Sequence, residues 1–217
     1  MQKYNYYFKS LRTIIICMYS RVLQSVKNQK INFSFIDKIP KEVKKEIKKI
    51  KNEVNKIPLV IDGEEIYNTE RKKVQRIPYQ HNHVISEYCL SNKYNINKAI
   101  EASIRSKKTW DNISTEKKYE IFLKAADLIS GKYYNKLLAA TIVGQGKNIY
   151  QAEIDAICEL ADFLRFNVKY HSELSNEHPL DSNEVINKSK WIGLNGFVAS
   201  ITPFNFTAIG ENLATAP

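Results

Sequence analysis

The feature that most constrains the fold is an apolar segment, Gly196 to Thr207. Its first half, Gly196 to Ile201, has the composition of a buried β-strand, and the turn Pro203-Phe204-Asn205-Phe206 follows it. A strand that leads through a turn into a helix directs backbone N–H groups and turn side chains into the crevice at the strand's carboxyl end. Open α/β sheets bind their ligands at that crevice. The sequence therefore predicts an α/β protein with a binding cleft beside this turn.

Asn205 is the one amide side chain in the apolar turn. Such a residue suits a dry pocket that needs a single neutral hydrogen-bond donor. An Asn that follows an aromatic residue in a loop more often satisfies its own backbone as a turn former. The turn alone leaves both interpretations open, and the rest of the sequence favours the first.

Five stretches of the chain form a recognisable combination. They are Phe122 to Gly131, Val143 to Lys147, Gln151 to Ala156, Asp162 to Asn167 and Phe204 to Gly210. Together they resemble the delta-1-pyrroline-5-carboxylate dehydrogenase branch of the aldehyde dehydrogenase superfamily, over about residues 57–217. The resemblance implies an incomplete α/β fold, the N-terminal part of an aldehyde dehydrogenase. That part comprises a β-hairpin region, a helical bundle and the first strand of a Rossmann-like cofactor domain.

The resemblance also implies a reaction and its site residues. The family oxidises an aldehyde with NAD after a cysteine thiolate attacks the carbonyl, and this branch acts on glutamate γ-semialdehyde. Asn205 matches the amide that stabilises the oxyanion, and Glu159 and Phe206 match residues that contact the substrate. Core packing is an equally open interpretation of Phe206. The positions that match the cofactor cleft are Ser200, Ile201, Thr202 and Phe204.

The positive charge is concentrated in the N-terminal quarter. Residues 1–57 contain 14 Lys or Arg and 4 Asp or Glu, while residues 58–217 contain 19 of each. A basic tail on a neutral body argues against a nucleic-acid-binding protein. Residues 1–36 hold six basic residues, no acidic one and a short apolar patch. This composition is typical of a transit peptide for the mitochondrial matrix, with an uncleaved basic extension as the alternative. The patch is too short for a membrane span.

Hydrophobic spacing predicts the elements that follow. Residues 37–56 form a Lys-rich helix with a narrow apolar stripe, which we expect on the surface. Asp62-Gly63 predicts a hairpin turn within 59–67, and strands are predicted at 74–79 and 84–90. Further helices are predicted at about 95–109, 114–131, 133–143 and 149–174, with Ser114 as a helix cap. A strand at 190–194 follows a polar excursion, and the resemblance assigns residues 175–195 to the family's oligomerisation arm, which implies a homo-oligomer.

Two motifs invite a site prediction that their context does not support. His81 and His83 flank the predicted hairpin tip without a third ligand, so we expect solvated turn residues and no metal site. Gly144-Gln145-Gly146-Lys147 resembles a phosphate-binding loop but is followed by Asn148 instead of Ser or Thr. We interpret it as a turn between helices.

Three carboxylates line one face of the last predicted helix: Asp155, Glu159 and Asp162. A strip of charges on a helix is usually a solvated face, and we expect that for Asp155 and Asp162. Only Glu159, through the resemblance, is expected near the substrate.

None of the three cysteines lies in a catalytic context. Cys17 is in the basic leader, Cys89 follows a strand, and Cys158 faces a helix core. Their odd number and lack of metal-ligand spacing favour a reducing compartment. We therefore expect an N-terminal fragment that is inert alone. A non-catalytic helical scaffold module and a fragment of another aldehyde dehydrogenase, such as a succinate-semialdehyde enzyme, are the alternatives.

The apolar segment also bears on solubility. The first strand of a doubly wound sheet is normally covered on both faces, and the neighbouring strands are missing from this sequence. We expect exposure of Phe197, Val198, Ile201 and Phe206, and hence poor solubility.

Overall fold

The structure, a computed structural model, describes residues 26–34 and 36–210. The helices are α1 (Lys41–Asn52), α2 (Lys93–Asn112), α3 (Thr115–Ser130), α4 (Tyr134–Gln145), α5 (Ile149–Glu153) and α6 (Leu160–Ser175). A π-helical segment (Ile154–Glu159) joins α5 to α6. The strands are β1 (Asn55–Ile57), β2 (Leu59–Ile61), β3 (Glu64–Ile66), β4 (Lys72–Ile77) and β5 (Gln80–Cys89).

Three strands form one small sheet in the order β1-β5-β4. β1 is parallel to β5, and β4 is antiparallel to it. Ile77 pairs with Gln80, so the hairpin turn lies at residues 78 and 79 and β5 begins with the polar residues. The prediction that residues 80–83 separate the two strands is therefore wrong. β5 includes these residues, with a register irregularity between the pairs Arg76–Val84 and Ile77–Gln80 that leaves residues 81–83 without a paired residue on β4.

The two histidines of that strand bind backbone carbonyl groups. His81 Nε2 lies 2.7 Å from the carbonyl oxygen of Pro78, and His83 Nε2 lies 2.8 Å from that of Lys51. Across residues 26–34 and 36–210, no group of three or more His, Cys, Asp or Glu side chains could hold a metal ion.

The hairpin of β2 and β3 turns at Asp62 and Gly63, as predicted. Both residues have positive φ, 56° at Asp62 and 79° at Gly63, as a type I′ turn requires. This turn has the twist that matches its flanking strands, so two short strands can pair.

Local capping sets the helix boundaries in the second half of the chain. The Ser114 hydroxyl accepts from the Lys117 N–H at 3.4 Å, which confirms the predicted cap of α3. Asn148 and Gln151 bind each other's backbone N–H groups at the start of α5. Gly146 ends α4 with φ of 69°, a conformation that glycine adopts without strain. The predicted turn between helices is present, but it covers residues 146–148, because α4 continues through Gly144 and Gln145.

The core joins α1, α4 and the sheet. Val43 of α1 is fully buried and packs with Leu138, Ile142 and Ile157. Val143, the residue after Ile142 in α4, packs with Ile77 and Ile85 of the sheet. The Lys-rich helix is thus anchored by its narrow apolar stripe, with its lysines directed outward. Two further clusters pack α3 against α6, around Tyr119 with Val168 and around Ala126 with Leu164.

Residues 26–34 pack along the helical run from α5 to α6. Val26 joins the cluster around Tyr119, and Phe33 joins the cluster around Val43. The Gln29 N–H and the Asn28 side chain donate to the Asp162 carboxylate at 2.7 Å and 2.8 Å. These residues therefore belong to the folded domain. The transit-peptide prediction covered residues 1–36. Its first 25 residues lie outside the described residues, so the prediction stays untested there.

The strongest attachment of this segment is the Glu153 carboxylate, which has no exposed surface. It accepts from the backbone N–H groups of Asn32 at 2.9 Å and Phe33 at 2.9 Å. It also accepts from the Asn32 side chain at 2.9 Å and from the Tyr134 hydroxyl. Burial and this hydrogen bond to Glu153 raise the pKa of Tyr134, so its hydroxyl stays a donor. Four donors replace the water that the carboxylate lost, which makes its burial tolerable.

The segment after α6 differs from the predictions. Residues 190–194 and 196–201 pair with none of the described strands, so neither predicted strand is present there. A β-strand requires a neighbour to satisfy its backbone groups, and no described strand runs beside this segment. The predicted exposure is confirmed, since Phe197, Val198, Ile201 and Phe206 all contact solvent. Poor solubility remains a prediction.

We predict that Glu153→Gln destabilises the chain by about 2–3 kcal/mol, because an amide NH₂ would face groups that are all donors. Urea unfolding followed by circular dichroism measures the change. Glu101→Gln, on the exposed surface of α2, is the control and is expected to change stability by less than about 0.5 kcal/mol. Equal effects of the two substitutions would contradict the assignment of Glu153 as a buried anchor.

Candidate active site

A cleft of about 720 Å³ lies between the β1-β5-β4 sheet, the C-terminal end of α4 and the turn at residues 203–206. The sheet contributes Ser86 and Tyr88, and α4 contributes Ala140. Phe204 and Asn205 form the rim on the side of the turn. The structure therefore has a concave space at the position that the sequence predicted for a ligand.

Asn205 is exposed and lines this cleft. Its backbone carbonyl accepts a hydrogen bond from Lys147 Nζ at 2.8 Å. No side chain or backbone group in the described parts of the chain binds its carboxamide. Because the backbone is held while the side chain is unoccupied, Asn205 can present its N–H group to a molecule in the cleft.

Lys147 connects this turn to the helical run. Its ammonium group donates to Asp155 Oδ2 at 2.6 Å as well as to the Asn205 carbonyl. It also lies 4.8 Å from the centroid of the Phe206 ring, a cation–π contact. Asp155 is 3% exposed, so the prediction of a solvated face is wrong for this residue. The reason is that the side chain of Lys147, eight residues earlier, reaches the π-helical segment and neutralises the Asp155 charge.

Two further contacts hold the C-terminal side of the turn. The Thr141 hydroxyl donates to the Leu137 carbonyl at 2.8 Å, so its oxygen accepts from the Thr207 hydroxyl at 2.6 Å. Ile209 is buried. A Cβ atom at Gly210 would lie 2.8 Å from Pro203 Cδ, so only glycine permits this close approach.

The other predicted site residues differ in their positions. Phe204 lines the cleft, and the Phe206 ring lies against Lys147. The remaining cofactor candidates, Ser200, Ile201 and Thr202, are exposed and are not among the residues that line the cleft.

Glu159 is exposed, and it too is not part of the cleft lining. Partial burial, and then the neighbouring Asp155 carboxylate, raise the pKa of Glu159. The structure therefore places Glu159 on the same π-helical segment as Asp155 and outside the cleft lining.

Sequence reasoning missed the buried carboxylates, Glu153 and Asp155. Asp162 also differs from the solvated face expected of it, because residues 28 and 29 bind its carboxylate. The sequence did contain a signal, because the neighbours of Glu153 and Asp155 in the chain are apolar: Ala152, Ile154, Ala156 and Ile157. A carboxylate within such an apolar run is expected to be buried, and a buried carboxylate needs a hydrogen-bond or ion-pair partner.

The aldehyde dehydrogenase family profile matches residues 66–217. The chain belongs to the aldehyde dehydrogenase family. Its fold is also similar to the crystal structure of the Mycobacterium tuberculosis delta-pyrroline-5-carboxylate dehydrogenase, with a TM-score of 0.81 and 32% identity. That similarity covers 87% of this chain and 35% of the mycobacterial chain. A second structure of the mycobacterial protein contains bound NAD.

Curated relatives point to one branch of this aldehyde dehydrogenase family. The mitochondrial delta-1-pyrroline-5-carboxylate dehydrogenase of Danio rerio is 43% identical over 92% of this chain and 36% of its own length. The human mitochondrial enzyme of the same name is 45% identical over 81% of this chain and 31% of its own length. The chain thus spans about a third of the length of the curated relatives it matches.

Both cysteines among the described residues of this aldehyde dehydrogenase chain are buried. Cys158 Sγ contacts the Lys30 carbonyl at 3.8 Å, and burial raises its thiol pKa to about 12. Cys89 Sγ contacts the Tyr67 carbonyl at 3.3 Å. A nucleophilic cysteine needs a thiolate and access to substrate, so neither residue has the environment of one. No helix in the described parts of the chain is long and apolar enough to cross a membrane.

We predict that Cys158 resists alkylation by iodoacetamide at neutral pH, because almost none of a thiol with a pKa of about 12 is ionised there. Peptide mapping by mass spectrometry, with and without urea, measures the modification. Labelling of Cys158 is expected only in urea, where the thiol is exposed and its pKa falls to its ordinary value. Rapid labelling of the folded chain would contradict its buried position.

Proposed function

We propose that this chain forms the N-terminal part of a delta-1-pyrroline-5-carboxylate dehydrogenase, which oxidises L-glutamate γ-semialdehyde to glutamate with NAD. The observation that carries the proposal is the Asn205 carboxamide, which lines the cleft and binds no group in the described parts of a chain that is similar to this branch of the family. The proposal extends to the branch's cellular role, proline degradation, and to its location in the mitochondrial matrix.

Asn205 is proposed as the oxyanion donor. Attack of a thiolate on the aldehyde carbon would leave a negative charge on the aldehyde oxygen, and the Asn205 carboxamide would donate its N–H to that oxygen. A donor fixed before the reaction needs no reorganisation, and removal of one such donor typically lowers kcat about 10²–10³-fold. The backbone contact with Lys147 supplies that fixation.

The substrate's aliphatic part requires an apolar wall, and Phe206 is the proposed residue. Its ring faces Lys147, which leaves part of its surface open to solvent. Glu159 is proposed at the inner end of the family's aldehyde-entry tunnel, near the Asn205 turn, on the strength of the family resemblance.

The residues proposed for NAD are Ser200, Ile201, Thr202 and Phe204. Ile201 and Phe204 are 101% and 93% exposed, which is unusual for apolar side chains and fits a surface covered by a planar ring. The NAD pyrophosphate would need a positive charge, and Lys147, which contacts the turn, is already paired with Asp155. The four proposed residues therefore fit the ring portions of NAD and not its pyrophosphate. When bound, NAD would accept the hydride that leaves the aldehyde carbon.

The nucleophile is expected outside the described residues, since Cys89 and Cys158 are both buried. The 217-residue chain alone is therefore proposed to be inactive. Residues 175–195 are proposed as an oligomerisation arm. Leu180, Ile186 and Ile192 are mostly exposed there, and such side chains would be covered by a second subunit.

The test joins residues 1–217 to the remaining part of the Danio rerio relative and measures NADH formation from pyrroline-5-carboxylate. We expect turnover by this chimera and none by the 217-residue chain alone. A folded chimera without turnover, or turnover by the chain alone, would contradict the proposed function.

In the same chimera we predict that Asn205→Ala lowers kcat about 10²–10³-fold, because the oxyanion loses a fixed donor. Asn68→Ala, at an exposed loop position, is the matched control and should leave kcat unchanged. If Asn205→Ala retains full turnover, Asn205 is a turn former and not a catalytic residue.

A further inference from the structure

We infer that Lys147 is a positioning residue for Asn205, held in place by Asp155. The inference rests on the proposed function, since it concerns how the oxyanion donor of that reaction is fixed. It assigns no catalytic contact to Lys147 itself.

The contacts of Lys147 define what it can do. Its ammonium group has three donor positions, and two of them bind Asp155 Oδ2 at 2.6 Å and the Asn205 carbonyl oxygen at 2.8 Å. The second bond is to the backbone of the residue whose side chain faces the cleft. Lys147 therefore fixes the peptide of Asn205 directly, without occupying its carboxamide.

Asp155 makes this contact stable. Its side chain is 4% exposed, and that of Lys147 is 22% exposed, so salt screens this pair less than it screens a surface ion pair. The second oxygen of the carboxylate, Oδ1, is buried and has no hydrogen-bond partner in the described structure. Without Lys147 the charge of Asp155 would be buried and uncompensated, which would lower the stability of the fold. This cost keeps the ammonium group in place.

The backbone around Asp155 supports the same role. Asp155 lies within the six-residue π-helical segment between α5 and α6. Such segments insert a residue into a helix and change the direction of the side chains around it, and they are frequent at functional sites. Here the segment lies beside the C-terminal end of α4, from which Lys147 follows Gly146.

Phe206 completes the arrangement. The Lys147 ammonium group lies 4.8 Å from the centroid of the Phe206 ring. Asn205 and Phe206, the two residues that share a peptide bond in this turn, therefore both contact Lys147. Loss of the cation would release the Asn205 backbone and the Phe206 ring together. A donor that must then be oriented during the reaction stabilises the transition state less.

The first experiment uses the full 217-residue chain and needs no activity. We expect Lys147→Met to shift the backbone and side-chain amide resonances of Asn205 and the amide resonance of Phe206 in nuclear magnetic resonance spectra. Lys136→Met, at an exposed position of α4, should leave these signals in place. Unchanged Asn205 signals in Lys147→Met would overturn the inference.

The second experiment is a double-mutant cycle in the chimera. Lys147→Met is expected to lower kcat about 10–100-fold with a smaller change in KM, and Lys147→Arg to restore part of the loss. In an Asn205→Ala background, Lys147→Met should change kcat less than about 2-fold, because the group that it positions is absent. Equal effects in both backgrounds would overturn the inference by showing that Lys147 acts independently of Asn205.

These outcomes separate the inference from the proposed function. A chimera without any turnover contradicts the proposed function, while the resonance experiment still decides the positioning contact. A chimera in which Asn205→Ala is damaging and Lys147→Met is harmless supports the proposed function and overturns the inference.

Discussion

The candidate site depends on one ion pair, that of Lys147 with Asp155. The turn at residues 203–206 belongs to no described helix or strand, so no regular hydrogen-bond ladder fixes it. Its position is set by side chains from α4 and from the turn that follows it: Thr141 to Thr207 and Lys147 to the Asn205 carbonyl. A partly buried pair serves this purpose better than an exposed one, because water competes less for the ammonium group. These contacts thereby position Asn205, which belongs to a segment without regular secondary structure.

The same helical run holds the other end of the described chain. Glu153 and Asp155 are two residues apart, so they point to nearly opposite sides of the run. Glu153 binds the segment that contains Asn32 and Phe33, while Asp155 binds Lys147. Both carboxylates lose their hydration on folding. Glu153 regains hydrogen bonds from a distant part of the sequence, and Asp155 regains one from Lys147, eight residues earlier. The helical run therefore links residues 26–34 to the cleft, although the two regions lie far apart in the sequence.

The sequence predicted the elements that local physics determines. Asp62-Gly63 specified its turn through positive φ, Ser114 capped its helix, and the spacing of apolar residues marked the helices. It did not predict the roles of Glu153 and Asp155, because their partners are distant or cross a helix boundary and leave no periodic pattern. It also predicted strands at 190–194 and 196–201, where composition favours β-structure but none of the described strands pairs with either segment. The position of Asn205 beside a cleft was predicted from the turn and the family resemblance, whereas its attachment through Lys147 needed the structure.

The most direct test of this account is the nuclear magnetic resonance signal of the Lys147 ammonium group. Ammonium protons of exposed lysines exchange rapidly with water, whereas a shielded group that donates to Asp155 and to the Asn205 carbonyl exchanges slowly enough to be observed. The account predicts a protected lysine ammonium resonance that disappears in Lys147→Arg, which assigns it, and in Asp155→Asn, which removes its charged partner. The absence of a protected resonance, or one that Asp155→Asn leaves unchanged, would contradict the account.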